Sequence, residues 1–156
     1  MQLGLISDTH GHVPHSVHEA LAGVDYILHA GDVGPMDIIT ELKAIAPVRA
    51  VLGNTDYGIA LPESRVEELG GERILIHHIV DVDYPSEIVR ELLKSETPDI
   101  VVFGHTHVPF DDHRGGIRYI NPGSASRPRG GSPPSVAILD YSDETPLVRT
   151  IALVDS

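Results

Sequence analysis

The sequence predicts an α/β fold built on a parallel sheet, and three observations carry that expectation. Short apolar runs over Gln2–Ser7, Tyr26–Leu28 and Val48–Leu52 have the length of buried strands. Segments with helical apolar spacing separate them, and strand, helix, strand, helix, strand at these intervals describes right-handed crossover units. Each run also ends in residues with ligand chemistry instead of plain turn residues: Asp8-Thr9-His10, then His29-Ala30-Gly31-Asp32, then Gly53-Asn54. Open α/β sheets hold their ligands beyond this carboxyl edge.

Taken in order, the first helix is expected from Pro14 to Leu21, with Pro14 near its first turn and Gly23 closing it. The second runs from Pro35 to Ala44, with Met36, Ile39 and Leu42 on one face, and Pro47 ends it. Arg65–Leu69 and Glu72–Ile76 flank Gly70-Gly71, a hairpin signal whose second arm runs into His77-His78. A third helix, about Ser86 to Lys94, follows Pro85. Ile100–Phe103 is then a buried strand that ends in Gly104-His105-Thr106-His107. Arg114-Gly115-Gly116-Ile117 marks another hairpin, leading to Tyr119-Ile120. Asn121–Pro134, rich in Pro, Gly and Ser, reads as a long loop, and Val136–Asp140 and Leu147–Leu153 as two closing strands. No repeat or linker divides the 156 residues, so residues 1–156 are read as one domain.

Composition narrows the function. The chain has no cysteine, which excludes disulfides, thiolate metal sites and cysteine nucleophiles; any metal must be held by nitrogen and oxygen. A net charge of -12, with Lys43 and Lys94 the only lysines, argues against stable nucleic-acid binding and suits binding of cations. No apolar run approaches the roughly 20 residues of a membrane span, and the first residues are patterned as a strand. A cytoplasmic protein with no membrane partner is expected.

The strand ends together supply Asp8, His10, Asp32, Asn54, one of His77 or His78, His105 and His107. Adjacent strand residues point to opposite faces, so only one of the paired histidines can join the set. Imidazole, carboxylate and amide oxygen suit Mn, Fe, Co, Ni or Zn better than calcium. Seven ligands exceed the needs of one ion and are enough for two if one carboxylate bridges. Two ions about 3.5 to 4 Å apart are the arrangement that clamps a phosphoryl group during in-line attack. His12 and Arg127 are candidates for substrate contact, Arg127 through its guanidinium. His29 is expected to pack behind the site, Asn121-Pro122-Gly123 to fix the long loop against it, and His15, His18 and His113 to lie on the surface.

The ordered set Asp8-x-His10, Gly31-Asp32, Gly53-Asn54, a strand-ending histidine and Gly104-His105-Thr106-His107 resembles the calcineurin-like metallophosphoesterase superfamily, specifically its small cap-less bacterial and archaeal phosphodiesterases. Asn121-Pro122-Gly123-Ser124 and the run through Arg127, Gly130-Gly131 and Leu139-Asp140 resemble the same group, so the likeness covers nearly the whole chain. It implies a four-layer αββα sandwich of two mixed β-sheets flanked by helices. It implies two divalent ions, manganese first, with Fe, Ni, Co or Zn as alternatives. Asp8, His10, Asp32 and His107 match the first metal position, and Asp32, Asn54, His78 and His105 the second, with Asp32 bridging. Asp32, Asn54 and His105 fall in the catalytic machinery. The implied reaction is hydrolysis of a small phosphodiester or phosphomonoester by a metal-bridging hydroxide, with Asn54 also binding substrate; a second copy of the chain is a further partner option.

Two positions depart from the family pattern. Where relatives carry Thr-His-Gly-His, the register here gives His77, His78 and Ile79 in place of Thr, His and Gly. Where many carry Gly-Asn-His-Asp/Glu, with the histidine protonating the leaving group, this chain has Thr55. Water, Asp56 or another histidine would then serve as donor, or none would. The rival reading, a catalytically weak or inactive metal-binding scaffold acting through protein–protein contact, is that of the retromer subunit with the same fold.

Overall fold

The computed structural model describes residues 1–154; the last two residues of the expected domain lie outside them. In chain order the elements are β1 (Gln2–Ile6), α1 (Ser16–Ala20), β2 (Tyr26–His29), α2 (Asp37–Lys43), β3 (Val48–Ala50), β4 (Ser64–Leu69), β5 (Glu72–His77), α3 (Glu87–Glu96), β6 (Ile100–Val102), β7 (Pro109–Arg114), β8 (Ile117–Pro122), β9 (Ser135–Asp140) and β10 (Leu147–Ala152).

These strands form two five-stranded mixed sheets, in the orders β10-β9-β1-β2-β3 and β4-β5-β6-β8-β7. β1, β2 and β3 run parallel, as the crossover pattern requires, while β9 lies antiparallel against the other side of β1. Both glycine pairs form the expected hairpins, β4 with β5 and β7 with β8.

Alternation along each strand builds four layers. Leu3, Leu5 and Leu28 of one sheet meet Ile74, Ile76, Ile100 and Val102 of the other in a core between the sheets. Ile6 and Ile27 turn the other way, onto Val17 and Leu21 near α1 and Ile38, Ile39 and Leu42 near α2. Leu75 and Val101 likewise turn outward onto Val89 of α3. This is the αββα sandwich. With both faces covered, β1, β6 and β9 read as nearly unbroken apolar runs.

The helices are shorter or shifted relative to the sequence reading. α1 starts at Ser16 instead of Pro14, and α2 at Asp37 instead of Pro35, because the preceding residues are spent in turns: Val17 donates its N–H to Pro14 O, and Ile38 to Pro35 O. α3 runs two residues past Lys94, with Ser86 as its cap; Ser86 Oγ accepts the Val89 N–H at 3.3 Å. No helix among the described residues is long and apolar enough to cross a membrane.

Candidate metal centre

The turns that follow β1, β2, β3, β5 and β6 converge at one edge of the paired sheets. Six described residues other than glycine have positive φ, and five of them are Asp8 (53°), His10 (46°), Asp32 (53°), His105 (73°) and His107 (62°). Left-handed backbone at a side-chain-bearing residue costs on the order of 1 kcal/mol or more, and such conformations cluster where chemistry is done. Two glycines make room. A Cβ on Gly53 would land on the Asp32 carboxylate, and one on Gly104 would collide with Ser7 and Asp8, so only glycine lets these turns close over the acidic side chains.

The side chains gather in two groups of candidate ligand atoms, Asp8, His10, Asp32 and His107 in one and Asp32, His78 and His105 in the other, each within 4.8 Å. Asp32 is common to both. Its Oδ1 accepts the Thr55 N–H at 2.9 Å, which leaves Oδ2 to face His10 Nε2 at 3.6 Å and His78 Nε2 at 3.2 Å. One oxygen atom thus looks at a histidine of each group. Asp8 divides its labour in the same way. Oδ2 accepts from Ser7 Oγ at 2.6 Å and from the His105 N–H at 3.0 Å, while Oδ1 is buried with no hydrogen-bond partner, 3.2 Å from His107 Nε2.

The histidines are held by their other nitrogens. His78 Nδ1 donates to Ala30 O at 2.7 Å and His107 Nδ1 to Arg127 O at 2.5 Å, so each turns Nε2 toward the carboxylates, and in the neutral ring that nitrogen carries the lone pair a cation would use. His78 Nε2 is itself buried without a hydrogen-bond partner. Two orphaned buried atoms 3.8 Å apart, an acidic oxygen of the first group and an imidazole nitrogen of the second, each fit a ligand whose cation lies in its own group. Asn54 is exposed, and its Oδ1 lies 3.1 Å from His105 Nδ1, beside the second group.

Electrostatics agrees with this packing. Burial pushes the Asp32 carboxyl up, but the His78 ring and the Thr55 N–H outweigh it and hold the group below the usual carboxylate range. Burial lowers the His78 pKa, yet Asp32 and Asp8 more than reverse it. His10 and His105 are lowered, mainly by burial.

Of the paired histidines, His78 enters the cluster and is buried. His77, one residue earlier and half-buried, belongs to neither group of candidate ligands, as the alternation along β5 requires. His29 is fully buried behind the site: its Nδ1 accepts the Gly31 N–H and its Nε2–H donates to Thr9 Oγ1, which in turn donates to Val33 O. Both ring nitrogens are satisfied only in the neutral form, and burial drives the pKa down to about 3. In the unfolded chain the ring takes up a proton near pH 6.5, so between these values the unfolded state binds more protons and stability falls as pH falls. The metal-free protein should lose about 2 kcal/mol through His29 between pH 7 and pH 5. Denaturant titration of wild type and His29→Gln checks this: the loss should be smaller by that amount in the variant, and an identical loss contradicts it.

Several supports were not evident from the sequence. Ser7 fixes the Asp8 rotamer, and Ser124 and Ser126 donate to Asp8 O and Thr9 O at 2.7 and 2.6 Å. Asp56, a candidate proton donor in the sequence, accepts the N–H groups of Val33, Gly34 and Gly53 and so ties the turn carrying Asp32 to the turn carrying Asn54. With its oxygens occupied by three donors it serves as a clamp. The signal was present in its spacing, two residues past Asn54 in a turn. Asn121 and Pro122, read from the sequence as the start of the long loop, instead end β8; Asn121 is buried, donates to Gly104 O and Thr106 Oγ1, and accepts the Gly123 N–H where the loop begins. Arg127 is exposed, and its charge is felt at His10. His12 lines a separate hollow with Pro14, Ala125, Ser126 and Pro134, outside the two ligand groups. His113 is exposed, whereas His18 is half-buried and engaged with Glu41 at 3.0 Å, linking α1 to α2.

Comparison with known proteins adds an independent line. Residues 1–144 match the family model of the calcineurin-like phosphoesterase superfamily domain. The chain is 40% identical over 152 residues to a probable metallophosphoesterase of Methanothermobacter thermautotrophicus, covering 92% of this chain and 88% of that one. It is 27% identical over 162 residues to phosphodiesterase YfcE of Escherichia coli K12, covering 90% and 88%. Among solved structures, a conserved uncharacterized protein, a predicted phosphoesterase from Streptococcus pneumoniae TIGR4, superposes with a TM-score of 0.76 at 29% identity, covering 97% of this chain and 88% of that one.

Proposed function

The chain belongs to the calcineurin-like phosphoesterase superfamily, and from that membership we propose that it is a phosphodiesterase working with two divalent cations. The observation that carries the two-cation reading is Asp32 Oδ2, which faces His10 of one ligand group and His78 of the other. On this reading Asp8, His10, Asp32 and His107 would hold one ion, and Asp32, Asn54, His78 and His105 the other. Manganese heads the range, with Fe, Ni, Co and Zn sharing its taste for nitrogen and oxygen donors. When bound, the ions would acidify water to near neutrality and supply positive charge to the phosphoryl oxygens.

The chain's own contribution is to hold groups still. The Nδ1 hydrogen bonds of His78 and His107 fix the rings, and Ser7 and Thr55 each occupy the carboxylate oxygen that is not needed. Asn54 offers an oxygen beside His105 and keeps its N–H donors for a phosphoryl oxygen. Arg127 adds a guanidinium at the rim near His10.

The test is reconstitution with each of the five metals and assay on bis(4-nitrophenyl) phosphate and 4-nitrophenyl phosphate. Turnover of the diester is expected. Absence of turnover on both with every metal would favour the scaffold reading, whose supporting features are Thr55 in the place of the family's proton-donating histidine and Ile79 in the place of its glycine.

A further inference from the structure

We infer that the hollow beside His105 is a subsite for a flat, uncharged aromatic substituent on the phosphoryl group. The inference rests on the reading of His105 and Asp32 as holders of the second cation. The hollow has a volume of about 490 Å³, within the range of small-molecule sites. Ile79, Val80 and Val82, from the segment after β5, form one wall, and Phe103, Val108 and Phe110 form the other; Gly104 and His105 join it to the ligand groups. A phosphoryl group held at His105 therefore has an apolar space next to it, large enough for one of its ester substituents. Ile79 stands where the family pattern has glycine, so part of this wall belongs to the present chain.

Two features specify the occupant. The Phe103 and Phe110 rings meet edge to face with centroids 6.0 Å apart, a geometry that a further aromatic ring extends favourably. Besides His105, the ionisable groups on the wall are Asp81 and Asp83, in a chain of net charge -12, which disfavours a second anionic group there. The walls are also built before any ligand arrives. Arg114 pairs with Asp83 at 3.0 Å and lies 5.9 Å over the Phe110 ring, tying the segment after β5 to β7. Asp81 Oδ1 accepts the N–H groups of Asp83 and Tyr84, and Thr106 Oγ1 accepts from Asn121 and from the Val108 N–H. A preformed cavity spends little binding energy on ordering itself.

The test uses phenylphosphonate and methylphosphonate, whose P–C bonds resist hydrolysis, titrated into the zinc-loaded protein. Calorimetry measures affinity, and methyl resonances of Val80, Val82 and Val108 report location. Phenylphosphonate should bind about tenfold tighter or more and should shift those resonances. Val108→Glu, which places a carboxylate in the hollow, should bring the affinity ratio close to one; Phe110→Leu, a milder change in case the first variant folds poorly, should reduce it. Equal affinities in the wild type, unmoved valine resonances, or a ratio that survives both variants would overturn the subsite. Failure of catalysis is read separately: an intact aromatic preference without diester turnover defeats the enzymatic reading alone, and turnover without the preference defeats the subsite alone.

Discussion

Replacing Asp32 by alanine is expected to lower diester hydrolysis by about 10³-fold or more, the loss of several kcal/mol of transition-state charge stabilisation. Asp32 is the one residue shared by both ligand groups, so its removal weakens two positions at once instead of one. Its Oδ2 faces His10 and His78, and its Oδ1 holds the Thr55 N–H that orients the turn beyond β3. Asp32 also sits at φ 53°, where alanine is less at ease than aspartate, so Asp32→Ala combines ligand loss with backbone strain. Asp32→Asn keeps the shape and removes the charge. Elemental analysis should find fewer bound ions in both variants, with circular dichroism confirming the fold. Wild-type turnover in Asp32→Asn with a full metal complement would show that the carboxylate bridge is not needed.

The second large effect concerns the leaving group. Thr55 is exposed, close to Asp32 through its backbone, and cannot donate a proton as the histidine of many relatives does. Asp56 is engaged by three backbone N–H groups and does not replace it. General-acid help is worth about 10² to 10⁴-fold, so kcat for alkyl diesters should fall below that for aryl diesters by a gap of this order. The comparison must be made in kcat, because an aromatic group bound beside His105 would show itself in KM. A series of diesters graded by leaving-group pKa gives a steep dependence if the donor is missing. Thr55→His should flatten that slope by speeding the alkyl members; a flat wild-type series would mean that another group protonates the leaving oxygen.

The candidate ligand residues stood out in the sequence because of where they stand. Each follows an apolar run, and a run that ends in Asp-x-His or Gly-Asp has spent its turn positions on chemistry. The parallel order of β1, β2 and β3 and both glycine hairpins followed from spacing and turn residues. Alternation along the strand limited the site to one of His77 and His78, and the register of the resembled family pattern pointed to His78. Other features depend on contacts between distant residues. That β9 inserts beside β1 is decided by the packing of Ala137 and Leu139 against the opposite sheet, and no local pattern encodes it. Five candidate ligand residues stand in left-handed turns, and Gly53 and Gly104 let segments from different strands touch Asp32 and Asp8 there. Ser7 acts through a single hydroxyl on Asp8, and α1 begins late because Pro14 O accepts a turn hydrogen bond. Such effects are settled by tertiary geometry at single atoms.

The proposed role of Asp32 is to join two cation positions into one phosphodiester-hydrolysing centre. Its most direct test is a titration of metal-free protein with Mn²⁺ while hydrolysis of bis(4-nitrophenyl) phosphate is followed. Turnover should rise steeply only as the second equivalent binds and should level off at two. Full turnover at one equivalent, or none at saturating metal, would contradict the claim.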